Sequence, residues 1–128
     1  MTAVPTRWRT TFEEQVADAQ RRVESAEELL ARSEGQRALQ DLYPAIVAAA
    51  SVRVWIEHPP WVRQLSTQEL MRKTRDAFPG LFSAMASLDM KDVLNSPWPA
   101  DAVRPYLAEA QTFVAKTKEQ LDACLAQS

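Results

Sequence analysis

The chain has 128 residues, of which 46% are hydrophobic and 25% are charged, with a formal net charge of −2. This composition is typical of one folded domain, residues 1–128, and argues against a disordered chain. The near balance of acidic and basic residues argues against a nucleic-acid binder that relies on a basic surface. Two glycines and one cysteine are too few for a glycine-rich phosphate loop, an internal disulfide or a thiolate metal cage.

The first helix is predicted from apolar residues that recur every three or four positions and therefore share one face. They are Trp8, Phe12, Val16, Ala19, Val23, Ala26 and Leu30. Thr10 with Glu13 and Thr11 with Glu14 both have capping-box spacing, so the start stays open between them. Gly35 is expected to break the pattern. The preceding segment has no apolar run of the signal-peptide type, and we expect a cytoplasmic protein.

The stretch from Leu39 to Ile56 predicts a second helix, from about Gln36 to Glu57, that is apolar on nearly every side. Such a helix is enclosed by other elements, and its excess of apolar surface suggests that part of it faces another subunit. Pro44 is expected to kink it or to mark a fresh start. The run is too short for a membrane span and contains Arg53, so we expect no membrane insertion.

A third helix is predicted to begin at a capping box formed by Ser66 and Glu69. Its apolar stripe starts at Leu70 and stays in phase across Pro79-Gly80, where we predict a kinked or split helix.

The last helix is predicted from a stripe with steps of three and four, and Pro105 is expected in its first turn. The stripe contains Val103, Leu107, Ala110, Val114, Thr117, Leu121 and Cys124. No segment alternates with a period of two. The predicted fold is therefore all-α, an antiparallel four-helix bundle with up-down-up-down connections.

Three segments of the chain together resemble the HEPN superfamily of small helical bundles. They read AEELLARSEG, ALQDLYPAIVAAASVRV and YLAEAQTFVAKTKEQL. In that family the second helix commonly has an aromatic residue near its start and small residues in its middle, and Tyr43 and Ala48–Ala50 take those places here. The resemblance implies a domain that dimerises or pairs with a nucleotidyltransferase-type subunit.

Other members of that family are ribonucleases with an Arg-x4–6-His motif, and Arg53 and His58 have this spacing. The guanidinium would hold the scissile phosphate and the imidazole would move a proton. This Arg-x4-His segment departs from the family pattern in three ways. Val54 stands where the family usually has a small polar residue, and Pro60 stands where it often has an aromatic residue. The segment also lies earlier in the chain than the family motif, which is usually near the final helix. The simpler interpretation is an Arg53 ion pair with Glu57 and a His58 at a helix end.

Tyr43, Trp55, Trp61 and Trp98 are candidate partner-binding residues, since rigid aromatic side chains lose little entropy on binding. Alternatively, the tryptophans close the ends of the bundle.

Two acidic pairs, Glu24-x-x-Glu27 and Asp89-x-x-Asp92, have spacing compatible with magnesium. The two glutamates lie on the polar face of the first helix, and we interpret them as solvated surface. We expect no metal and no cofactor. The sequence thus predicts a non-catalytic bundle that acts by protein association, as a homodimer or beside a nucleotidyltransferase-type partner. The alternative is a toxin-type ribonuclease using Arg53 and His58.

Overall fold

The computed structural model describes residues 4–77, 95 and 97–127. These residues form four α-helices: α1 (Thr6–Ala31), α2 (Gly35–Glu57), α3 (Thr67–Ala77) and α4 (Ala100–Ala126). No strand occurs within these ranges, which confirms the all-helical prediction. The predicted kink at Pro79-Gly80 lies outside the described residues.

Helix α1 buries the face that its sequence pattern predicts. Phe12, Val16, Ala19, Val23, Ala26 and Leu30 are buried, and Trp8 is half-buried. The helix begins earlier than expected, at Thr6 after Pro5. The Thr10 and Thr11 hydroxyls donate to the carbonyls of Thr6 and Arg7, so both threonines lie inside the helix and the predicted caps there are wrong.

The turn between α1 and α2 uses Ser33, not Gly35, as its left-handed residue. Ser33 has a φ of 60°. The Glu34 N–H donates to the Leu29 carbonyl at 2.9 Å and the Ser33 N–H donates to Leu30 at 3.0 Å, the bonding pattern of a Schellman helix end. Gly35 is instead the first residue of α2, where its lack of a side chain lets the Trp98 backbone approach closely.

Helix α2 is the central element, because α1, α3 and α4 all pack against it. Its buried residues are Gly35, Ala38, Leu39, Leu42, Ala45, Ile46, Ala48, Ala49, Ala50, Val52 and Val54. The prediction of an enclosed apolar helix is confirmed, and α2 continues through Pro44 without a fresh start. The expectation that α2 presents excess apolar surface to another subunit is not supported. The large hydrophobic side chains exposed in the described ranges are Val62 and Met71, outside α2.

The core has two parts. The larger one joins the second half of α1 to residues 38–50 of α2 and 103–114 of α4, with Leu39, Leu42, Ile46 and Val103 fully buried. The smaller one lies at the other end of α2 and contains Phe12, Val16, Val52, Leu121 and Leu125. Trp8, Trp55 and Trp61 cover this smaller cluster.

Helix α3 begins at the predicted capping box. The Glu69 N–H donates to the Ser66 hydroxyl oxygen at 3.2 Å, and the Ser66 hydroxyl donates to the Glu69 carboxylate at 3.1 Å. The buried face of α3 includes Thr74, whose hydroxyl donates to the Leu70 carbonyl at 2.7 Å.

Helix α4 begins at Ala100, with Pro99 as its N-cap. Pro105 therefore lies in the second turn of α4. The prediction that it lies in the first turn is wrong. Most of the predicted stripe is buried, while Leu107 and Cys124 are half-buried. Phe113 and Leu125 are also buried and widen the buried face beyond the predicted stripe.

Candidate functional site

A cleft of about 390 Å³ lies between the end of α2 and helix α3. It is lined by Arg53, Val54, Glu57, His58, Lys73 and Asp76. The local sequence creates this edge, because the Pro59-Pro60 pair cannot continue the helix and α2 ends at Glu57. Helix α3 then packs back on α2 and supplies the second wall.

Arg53 reaches from α2 to α4. Its Nε donates to the Thr117 hydroxyl oxygen at 2.7 Å and its Nη2 donates to the Phe113 carbonyl at 3.3 Å. The guanidinium carbon lies 4.2 Å from the centroid of the Phe113 ring, a cation–π contact. Thr117 is fully buried and donates its own hydroxyl to the Phe113 carbonyl at 2.8 Å. Arg53 therefore helps to join α2 to α4.

The expected ion pair between Arg53 and Glu57 is wrong. Within the described ranges Arg53 forms no ion pair, and its hydrogen-bond partners on α4 are uncharged. Burial lowers the pKa of the Arg53 guanidinium, and the negative charge of Glu57 opposes this shift only in part. Arg53 is thus a partly desolvated cation whose direct partners are neutral.

His58 is the C-cap residue of α2, as the helix-end interpretation predicts. Its backbone N–H donates to the Val54 carbonyl at 2.7 Å, and its side chain is exposed. The structure brings His58 and Arg53 to the same cleft, although Arg53 is already hydrogen-bonded to α4.

Sequence reasoning missed Lys73 and Asp76, the α3 side of the cleft. A signal was present, since Lys73 shares the face of α3 that contains Leu70 and Thr74, an unusual place for a lysine. Among the residues that the structure describes, the side chains of Glu57, Lys73 and Asp76 form no ion pair or hydrogen bond.

Trp55 and Trp61 belong to an aromatic cluster with Trp8 and Phe12 at one end of α2. The Phe12 and Trp55 rings stack with centroids 5.7 Å apart, and the Trp8 and Trp61 centroids are 6.1 Å apart. This placement agrees with tryptophans that close the end of a bundle.

The other two candidate partner-binding residues, Tyr43 and Trp98, are half-buried against the larger core cluster. A role in partner binding stays a prediction for all four aromatic residues.

A second cleft, of about 360 Å³, lies between the end of α2 and the end of α4. Its walls include Ile56, Trp61 and Cys124. The thiol of Cys124 is half-buried, which agrees with a packing role beside the smaller core cluster.

The acidic pairs considered for magnesium are not assembled into a site by the described residues. Glu24 and Glu27 are exposed on α1, and Asp89 and Asp92 lie outside the described ranges. Within those ranges no group of three or more histidine, cysteine or acidic residues could hold a metal ion. None of the described helices is long and apolar enough to cross a membrane.

Comparisons with protein-family models, with curated proteins and with solved structures found no match to this chain. The resemblance to the HEPN superfamily therefore stays a prediction from sequence pattern.

Proposed function

We propose that this protein acts by associating with another protein chain and not by catalysis. The observation that supports this proposal is Val62, a large hydrophobic side chain that is 66% exposed in the connection between α2 and α3. Met71 on α3 is also half exposed, at 50%. An exposed apolar residue contributes binding energy when a partner covers it.

The backbone around Val62 is already ordered, which favours binding. The N–H groups of Val62 and Arg63 both donate to the Pro59 carbonyl at 3.1 Å. Trp61 is held in the aromatic cluster, and Arg63 forms an ion pair with Glu69 of α3 at 3.5 Å. A segment that is ordered before binding loses less conformational entropy when the complex forms.

The proposed assembly is a homodimer or a pair with a nucleotidyltransferase-type subunit, as the HEPN resemblance implies. The up-down-up-down bundle that this resemblance requires is supported by contacts between helix ends. Phe12 near the start of α1 stacks on Trp55 near the end of α2, as expected for two helices that run in opposite directions. Gly35 at the start of α2 meets Ala100 at the start of α4. A cytoplasmic location stays a prediction.

Light scattering over a concentration series of the purified chain tests the homodimer. We expect a dimer in the wild type and a shift to monomer in Val62→Asp, because a buried charge without a partner is unfavourable at an interface. Gln64→Asp is the matched control, since it adds the same charge to the same exposed connection and should leave the dimer intact. A monomer at every concentration, which also elutes apart from a co-expressed nucleotidyltransferase-type protein, would contradict the proposal.

A second candidate function is RNA cleavage, favoured by one observation: Arg53 and His58 line the same cleft. Cleavage would require the Arg53 N–H groups that remain after its bonds to α4 to contact a phosphate. In a cleavage assay with purified protein, His58→Ala should then abolish activity while Gln64→Ala retains it. Wild-type protein that leaves structured and unstructured RNA intact would end this alternative.

A further inference from the structure

We propose that the cleft between the end of α2 and α3 binds a small zwitterion, a molecule of the amino-acid class with one carboxylate and one ammonium group. This inference is independent of the proposed association, because it rests on the charges around the cleft and not on the exposed apolar residues. It assigns the carboxylate of the ligand to Arg53 and Lys73, and the ammonium group to Glu57 and Asp76.

Besides His58, the walls of the cleft that the structure describes contain two cations and two carboxylates that form no ion pair with one another. Arg53 and Glu57 are four residues apart on α2, and Lys73 and Asp76 are three apart on α3. Within the described residues, neither of these two pairs forms an ion pair. The separation of these residues along the helix does not explain why they form no ion pair. Arg9 and Glu13 have the same spacing and order as Arg53 and Glu57, and they pair at 3.3 Å.

For Arg53 the cause is visible in the structure. Its guanidinium lies over the Phe113 ring and is bonded to Thr117, and both of these residues belong to α4. Burial of this charge among neutral groups lowers the pKa of the guanidinium, and Glu57 opposes this shift only in part, so the cation at the wall of the cleft is incompletely compensated. Glu57, four residues on, lines the same cleft, and its carboxylate forms no ion pair with any residue that the structure describes.

The mixed charges select the class of ligand. A simple anion would be attracted by the two cations, Arg53 and Lys73, but repelled by the carboxylates of Glu57 and Asp76. A simple cation would be attracted by the carboxylates and repelled by the cations. A zwitterion satisfies both sets, because each of its charged groups meets two groups of opposite sign. The volume of about 390 Å³ is in the usual range for small-molecule sites. Val54 is the one apolar residue on the walls that the structure describes, so a polar ligand with little apolar surface fits best.

Four probes of matched size test this assignment by titration calorimetry and by amide chemical shifts. The zwitterions are 2-aminobutyrate and 4-aminobutyrate, which differ in charge separation, and the single-charge probes are butyrate and butylammonium. We expect one aminobutyrate to bind at least ~10-fold more tightly than either single-charge probe, a difference of about 1.4 kcal/mol. The shifted amides should belong to the residues that line the cleft.

Three results would overturn the proposal. Butyrate or inorganic phosphate that binds as tightly as the better aminobutyrate would show a plain anion site. Butylammonium that does so would show a cation site. Failure of every probe to shift the lining residues, at concentrations that saturate a Kd of about 1 mM, would show that the cleft binds none of them.

Two single variants then test which residues bind which charge of the ligand, and both leave the contacts of Arg53 with α4 unchanged. Lys73→Met should lower the affinity for butyrate relative to butylammonium, and Asp76→Asn should change this preference in the opposite direction. Lys118→Met is the control, because it removes a lysine from α4 outside the cleft. A thermal unfolding curve confirms that each variant is folded. Preferences that stay unchanged in both folded variants would refute the assignment.

Discussion

Gly35 is the residue whose substitution tests the packing of the fold most directly. A Cβ atom at this position would lie 2.2 Å from the Trp98 carbonyl oxygen and 2.8 Å from both the Pro99 carbonyl carbon and the Ala100 nitrogen. All three are backbone atoms at the start of α4, so a side-chain rotation cannot relieve the clash. Gly35→Ala therefore forces the starts of α2 and α4 apart.

The expected loss of stability follows from two opposing effects. Overpacking against fixed atoms costs about 3 kcal/mol at the upper end of its usual range, which suits contacts this short. Alanine in a helix gains up to about 1 kcal/mol over glycine. The net change in the free energy of unfolding is a loss of about 2 kcal/mol. For a chain of this length, that corresponds to a decrease of about 7 °C in Tm.

Urea unfolding followed by tryptophan fluorescence measures this change. Ser33→Gly is the matched control two positions earlier, because a glycine at its positive φ should instead stabilise by about 1 kcal/mol. A Gly35→Ala variant as stable as the wild type would refute the reasoning, since it would mean that α2 and α4 do not meet as closely as described.

Three further predictions follow from single contacts. Ser66→Ala should lower stability by about 1 kcal/mol through loss of the α3 cap, whereas Ser66→Thr should retain most of it because its hydroxyl can still accept from the Glu69 N–H and donate to the Glu69 carboxylate. Thr117→Val should cost about 1–3 kcal/mol because the Nε of Arg53 loses its acceptor, whereas Thr117→Ser should retain most of the stability; equal losses in both would contradict this. The pKa of Asp18 is lowered, chiefly by a hydrogen bond from Arg22. The contribution of this carboxylate to the free energy of unfolding is therefore present above the pKa of Asp18 in the unfolded chain, and it is lost as the pH falls toward the pKa in the folded protein. Denaturant unfolding, measured from neutral pH down to a pH of about 3, should show that the free energy of unfolding decreases less in Asp18→Asn than in the wild type.

The sequence by itself determined the helices and most of their buried faces. The apolar steps of α1 predicted its buried residues because a helix places positions three and four apart on one side. The Ser66 and Glu69 pair predicted the start of α3 because a capping box joins residues only three apart. Such features depend on neighbours in the chain and can be inferred without the fold.

Only the tertiary structure decided how distant residues meet. Gly35 looks like a helix breaker in the sequence, but its role comes from a backbone that lies more than sixty positions away. Arg53 was expected to pair with Glu57, yet it bonds to Thr117 on α4. Lys73 joins Arg53 in one cleft through the packing of α3 on α2. The physical reason is that such contacts depend on how packed helices are rotated and spaced, which no local pattern encodes.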